Sequence, residues 1–252
     1  MTKRIACITG ATSGIGEATA RLLAVNGFEL ILTGRRQDRL AKLASELSSS
    51  TRIITLNFDV RDKEVVKQKF ASLPAEWRNI DVLVNNAGNA HGLDPIQKGS
   101  IDDWDAMIDI NVKGLLYVSR EVIPGMVERK SGHIINIGSI AGKEVYPNGN
   151  VYCASKYGVD ALTKGMRMDL NPFGIKVTGI HPGLVETEFS LVRFKGDAPK
   201  ASTVYKGIEP LTGKDIADLI LYVLSVPPHV VLADLTVFPT AQASATIVRR
   251  EN

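Results

Sequence analysis

Apolar residues in this chain fall into short unbroken runs, separated by longer stretches where apolar positions recur with helical spacing. The runs lie at residues 5–9, 29–33, 52–57, 82–85, 133–137, 176–180 and 235–238. Most do not alternate with polar residues, the pattern expected of parallel strands covered on both faces. Helical spacing fills residues 16–25, 38–47, 62–70, 101–113 and 152–170 between them. Thr212-Gly213-Lys214-Asp215 reads as a capping box opening one more helix, which Pro227-Pro228 ends. Seven strands alternating with helices predict a single-domain α/β fold, residues 1–252, with a doubly wound, parallel seven-stranded sheet and helices on both faces. The least regular stretch, 184–211, follows the sixth strand, where open α/β folds place substrate contacts.

The first strand runs directly into Thr9-Gly10-Ala11-Thr12-Ser13-Gly14-Ile15-Gly16. Gly10 suits a tight turn off the strand, Gly14 a close backbone approach to a pyrophosphate, and Gly16 close packing of the next helix on the sheet. That helix offers free N–H groups and a positive dipole end to phosphates. A dinucleotide site selective for NAD carries an acid near the end of the second strand. Here that position reads Gly34-Arg35-Arg36-Gln37, with two arginines and no carboxylate. Guanidinium groups bind a 2′-phosphate by charge-assisted bonds, so NADP(H) is expected over NAD(H), with Ser13 adding a hydroxyl.

Tyr152 and Lys156 stand four residues apart, thirteen and more residues after Ser139. On a helix that spacing puts phenol and ammonium on one face, where the positive charge favours the phenolate and lowers the phenol's pKa.

Composition narrows the setting. A net charge of +3, with Lys and Arg scattered, argues against nucleic acid. No apolar run is long enough to span a bilayer, and the first run lacks a signal-peptide pattern. Cys7 and Cys153 sit in a strand and a helix pattern and read as reduced core thiols. A cytoplasmic location is expected. His91, His133, His181 and His229 have no ligand spacing, so no metal is expected. Trp77 and Trp104 read as core or interface aromatics.

From about Lys3 to Phe238 the chain resembles the classical short-chain dehydrogenase/reductase family. The resemblance rests on the glycine turn with its Gly-x3-Gly-x-Gly spacing and on Asn85-Asn86-Ala87-Gly88. It continues with Asn111 in Asn111-Val112-Lys113-Gly114, Ser139, Tyr152-x3-Lys156 and Pro182-Gly183. It implies that Tyr152 is the general acid in reduction and the base in oxidation. Lys156 would lower the Tyr152 pKa and hold the nicotinamide ribose, and Ser139 would bond the substrate oxygen. Asn111 would bind a water linking Lys156 to solvent. Gly10, Thr12, Ser13, Gly14, Ile15 and Gly16 would cradle the phosphates, and Asp59 and Val60 would flank the adenine. Asn86, Ala87 and Gly88 would line the cleft, and Pro182, Gly183, Val185 and Thr187 would cover the nicotinamide. The family also implies dimers or tetramers, paired through the helices at 101–113 onward and 152–170, with the tail from Ala241 reaching a neighbouring subunit.

A finer resemblance points to the NADP-dependent branch acting on 3-hydroxy acids, including serine and allo-threonine. It rests on Glu188-Phe189-Ser190-x2-Arg193-Phe194-Lys195-Gly196-Asp197, on Leu211-Thr212, on Pro228-His229-Val230 and on Pro239-Thr240-x-Gln242. A carboxylate entering a partly dry cleft needs a cation, and the Arg193 fork in the covering segment suits one. A surface or subunit-contact role for Arg193 stands beside that reading. His91 and Lys143 lie near strand ends; Lys143 reads more simply as a solvated lysine. Two alternatives remain at this level. One is a carbonyl reductase for ketones, acyl-carrier groups or sterols. The other is an NADP-binding sensor without turnover, which the intact polar quartet disfavours.

Overall fold

The apolar runs become strands because each is short, continuous and closed by glycine or polar residues that turn the chain. The computed structural model describes residues 3–251. The chain proceeds through β1 (Arg4–Ile8), α1 (Gly14–Val25), β2 (Phe28–Gly34), α2 (Gln37–Leu47), β3 (Ile53–Asn57), α3 (Lys63–Ala71) and β4 (Ile80–Asn85). It continues with α4 (Ile101–Ile108), α5 (Gly114–Arg129), β5 (His133–Ile137), α6 (Asn150–Leu170) and β6 (Lys176–Pro182). Then come β7 (Val185–Glu186), α7 (Phe189–Arg193), α8 (Ala198–Thr203), β8 (Leu211–Thr212), α9 (Gly213–Ser225) and β9 (Asp234–Val237).

Seven strands form one sheet in the order β3-β2-β1-β4-β5-β6-β9, and every pairing is parallel. The order reverses between β1 and β4, which leaves a crevice beyond their carboxyl ends. Alternate residues of each strand face opposite layers. Ala6, Ile8, Leu30, Leu32, Val82 and Val84 pack with α1, α2 and α9. Cys7, Ile31, Leu83 and Ile134 pack with α3, α5 and the end of α6. Cys7 and Cys153 are buried and unpaired, and burial pushes the Cys7 thiol up to about 12.

Three local features add to the sequence reading. The helix expected at 101–113 does not stop there: α4 passes through a π-helical turn, Asp109–Lys113, into α5. Gly114 is small for packing rather than for ending a helix, since a Cβ there would lie 2.6 Å from Val60 Cγ2. The 184–211 segment is not structureless: the β7–β8 pair ties its two ends together, and α7 and α8 lie between. The tail folds back on its own chain. Gln242 is buried and accepts a bond from Leu184 N, and Glu251 N donates to Gly207 O. Among the described residues no helix is long and apolar enough to cross a membrane.

Candidate active site

The turn after β1 is built by glycine chemistry. Gly10 has φ +66°, which an L side chain rarely adopts. At Gly16 a Cβ would sit 2.4 Å from Gly10 O, so only glycine lets α1 start this close to the turn. Thr9 and Asn86 fasten the turn to the end of β4. Thr9 Oγ1 accepts from Asn86 N and Ala87 N at 2.9 Å, and Asn86 Nδ2 donates to Thr9 O at 2.9 Å. The cleft beyond this turn has a volume of about 430 Å³. Thr12, Ser13, Gly14 and Ile15 line one end of it, with Arg35, Arg36, Asp59 and Val60; Gly88, Ser139, Tyr152 and Lys156 line the middle. Pro182, Gly183, Val185, Thr187 and Arg193 close it from the covering segment. The residues assigned catalytic, cofactor or substrate roles from the sequence therefore border one crevice, except Gly16, which packs against Gly10, and Asn111, whose Oδ1 lies next to Gly88.

Arg36 reaches across the phosphate turn. Its guanidinium donates to Thr12 Oγ1 at 3.1 Å, to Ser13 Oγ at 2.8 Å and to Glu188 Oε2 at 2.7 Å. Arg35 is half-exposed, 3.5 Å from Asp59, which also pairs with Arg61 at 2.7 Å. This end of the cleft thus presents guanidinium groups and hydroxyls, the arginines paired with Glu188 and Asp59 from other elements, with no carboxylate at the β2 turn itself. A cradle that glycine alone permits, followed by that arginine pair, fits a dinucleotide carrying a 2′-phosphate.

Tyr152 and Lys156 lie one turn apart on α6, and both are buried. The expected lowering of the Tyr152 pKa is not what the structure gives. Burial raises it, Tyr146 adds to the rise, and Arg193 and the Ser139 hydroxyl only partly oppose it. The physical reason is that burial strips water from the phenolate, and the neighbouring Lys156 ammonium is desolvated as well. Burial brings its pKa down to about 8, and its Nζ donates to Ile137 O at 3.0 Å. Ser139 caps the short turn that follows it by accepting from Ala141 N at 3.1 Å. Asn111 Nδ2 donates to Asn89 O at 2.8 Å and to Ser155 Oγ at 2.9 Å, while its Oδ1 accepts from Asn89 N at 2.8 Å. Both amide protons are therefore used, and one carbonyl lone pair is left on the side next to Gly88 and Lys156.

Arg193 turns inward rather than to the surface. Its guanidinium lies 4.9 Å above the Tyr152 ring and 5.1 Å from the Phe189 ring. Nη2 donates to the Tyr146 hydroxyl at 2.7 Å, and Nε is buried with no hydrogen-bond partner. Tyr146, Phe189 and Glu188 were not assigned site roles from the sequence. Tyr146 sits in an irregular loop, 47 residues from the arginine it meets, so no local pattern marks it.

Lys143 is not simply solvated. Its ammonium bridges Asp160 at 2.8 Å and Asp234 at 2.6 Å. His181, fully buried, adds Nε2 at 3.4 Å from Asp234. The fold thus brings one potential ligand atom each of Asp160, His181 and Asp234 within 4.8 Å of one another although their sequence spacing shows no cluster, and the Lys143 ammonium pairs with both carboxylates. His91 is half-buried, and burial lowers its pKa.

A doubly wound fold with a glycine-built phosphate turn at its switch point and a buried phenol beside it is the architecture of a dinucleotide-dependent oxidoreductase. The short chain dehydrogenase family model matches residues 4–196, and the chain belongs to that family. It is 49% identical, over 96% of its own length and 97% of the relative's, to the NADP-dependent 3-hydroxy acid dehydrogenase of Salmonella typhi. It is 46% identical to sulfoacetaldehyde reductase 2 of Chromohalobacter salexigens, over 98% and 99% of the two chains. Among solved structures, the closed form of serine dehydrogenase complexed with NADP+ superposes with a TM-score of 0.92 at 47% identity, covering 98% of this chain and all of the other.

Proposed function

We propose that this chain is an NADP-dependent dehydrogenase that transfers hydride between NADP(H) and the β-hydroxyl or carbonyl carbon of small 3-hydroxy acids. Serine, allo-threonine, 3-hydroxypropionate and 3-hydroxyisobutyrate define the substrate type. The observation that carries the reading is Arg193: a guanidinium in the substrate end of the cleft, stacked on Tyr152, with a buried Nε that has no partner. An orphaned buried donor is costly, and a carboxylate two bonds from the carbinol supplies its acceptor.

Thr12, Ser13, Ile15 and Arg36 would hold the phosphates of NADP, with Asp59 and Val60 at the adenine. Asn86, Ala87, Gly88, Lys156 and the 182–187 stretch would hold the nicotinamide half. When bound, NADP supplies the hydride donor or acceptor and, in its oxidised form, a cationic ring. Tyr152 donates its phenolic proton to the carbonyl oxygen during reduction and takes the hydroxyl proton during oxidation. A raised pKa keeps that phenol protonated at neutral pH, the form needed to donate. Ser139 bonds the same oxygen and stabilises the charge that develops there. The free Asn111 lone pair accepts a water that connects Lys156 with solvent. Phe189 and Tyr146 exclude bulk water from the phenol, and the 184–211 segment acts as the substrate cover. Two buried unpaired thiols are in keeping with a cytoplasmic location. Leu116, Tyr157 and Met168, apolar and exposed on α5 and α6, suit a homo-oligomer formed across these helices.

R193A raises KM for 3-hydroxy acids by about 30-fold or more and leaves kcat/KM for an uncharged alcohol within a few-fold. Steady-state kinetics on both substrates check this; equal losses would assign Arg193 to packing. A 2-hydroxyethanesulfonate arm belongs in the same assay. It keeps the two-carbon spacing between hydroxyl and anion, and one relative is named for the corresponding sulfonated aldehyde.

A further inference from the structure

The arginine end of the cleft is already neutralised from within. Glu188, the residue before α7, places Oε2 2.7 Å from Arg36 Nη1 and Oε1 2.6 Å from Arg39 Nη1. Arg36 is the same side chain that spans Thr12 and Ser13 of the phosphate turn. Burial tends to raise the Glu188 carboxyl, but bonds from Arg39 and Arg36 outweigh it and hold the group below the usual range. A carboxylate thus sits against the guanidinium pair that a 2′-phosphate would address, and it belongs to the segment that carries Phe189 and Arg193.

We infer that Glu188 is an internal counter-anion for Arg36 and Arg39 that weakens 2′-phosphate binding and so sets how strongly the chain prefers NADP over NAD. The inference rests on the NADP reading above. Two anions near the same arginines repel each other, and the dianionic phosphate must share or displace the bonds Glu188 now makes. Removing the carboxylate charge frees an arginine valence and lifts that repulsion. Because Glu188 adjoins α7, the same exchange acts on the helix whose far end positions Arg193 above Tyr152.

The test is equilibrium binding of adenosine 2′,5′-bisphosphate and of 5′-AMP, which differ only in the 2′-phosphate, measured by titration calorimetry at low salt. E188Q is a conservative change at a part-exposed position. It is expected to tighten bisphosphate binding by roughly three- to tenfold, with 5′-AMP changed less than about twofold. In an R36Q/R39Q background the same E188Q change is expected to yield no gain, which separates a charge effect at these arginines from a general loosening of the fold. A preference for the bisphosphate in the unaltered chain that E188Q leaves unchanged or reduces overturns the inference alone. Tightening of both nucleotides alike, or a gain that survives in the R36Q/R39Q background, also overturns it. Equal binding of the two nucleotides by the unaltered chain removes the NADP reading, and the inference with it.

Discussion

Y152F is expected to lower kcat for both reaction directions by about 10³-fold while leaving NADP binding within a few-fold of the unaltered chain. Phe keeps the ring against Phe189, 5.5 Å between centroids, and beneath the Arg193 guanidinium, so packing is spared and only the transferable proton is lost. The pH dependence carries the mechanism further. Burial raises the Tyr152 pKa, so the phenol stays protonated through neutrality. Reduction, which uses the protonated form, is therefore expected to be nearly flat from pH 6 to 8. Oxidation needs the phenolate and is expected to climb about tenfold per pH unit over the same range, when chemistry limits the rate. Single-turnover absorbance at the reduced-nicotinamide band measures both profiles. An oxidation rate independent of pH below 8 would contradict a high-pKa phenol as the base.

K156M is expected to separate activity from stability. Lys156 is buried, and its pKa falls from the ordinary 10.5 to about 8. Between those values the unfolded chain binds more protons than the folded one, so stability rises with pH in that window. Below pH 8 the folded chain bears the full cost of a buried ammonium, about 3 kcal/mol. Met removes that cost and loses the Ile137 carbonyl bond, worth about 1 kcal/mol. A net gain of about 2 kcal/mol corresponds to a Tm higher by about 4–8 °C for a chain of this size. Calorimetry at pH 7 and at pH 10 checks it. The variant should melt higher at pH 7 and lack the stability rise between pH 8 and 10, with turnover reduced by about 10³-fold or more. A lower Tm at pH 7 would contradict it. The ammonium is then a strained functional group, retained at the expense of stability.

Strands and the phosphate turn were readable in the sequence because their determinants are local. A run such as Cys7–Ile8 or Leu30–Leu32 announces a buried strand by itself, and the Gly10, Gly14 and Gly16 spacing announces a turn no other residue type builds as readily. The Tyr152–Lys156 face was readable for the same reason, as a helical i, i+4 pair. What stayed hidden depends on residues far apart in the chain. Tyr146 meets Arg193, Glu188 meets Arg36 and Arg39, and Lys143 joins Asp160 and Asp234, each across a distance that only the fold closes. The sign of the Tyr152 pKa shift was also beyond the sequence. Spacing predicts a nearby positive charge, but burial, which acts more strongly, is a property of the packed cleft. Gly114 alone was ambiguous: glycine suits both helix ends and close contacts, and here it allows a close approach to Val60 inside a continuing helix.

The central claim is a hydride-transfer site that reads an anion next to the carbinol and a 2′-phosphate on the cofactor. Its most direct test is initial rates for oxidation of serine, allo-threonine, threonine and 3-hydroxypropionate beside uncharged alcohols of matched size, each with NADP and with NAD. The account predicts the highest kcat/KM for a 3-hydroxy acid with NADP, at least about tenfold above the matched uncharged alcohol and above the same acid with NAD. An uncharged alcohol turned over as efficiently as every acid, or NAD used as well as NADP, would contradict it.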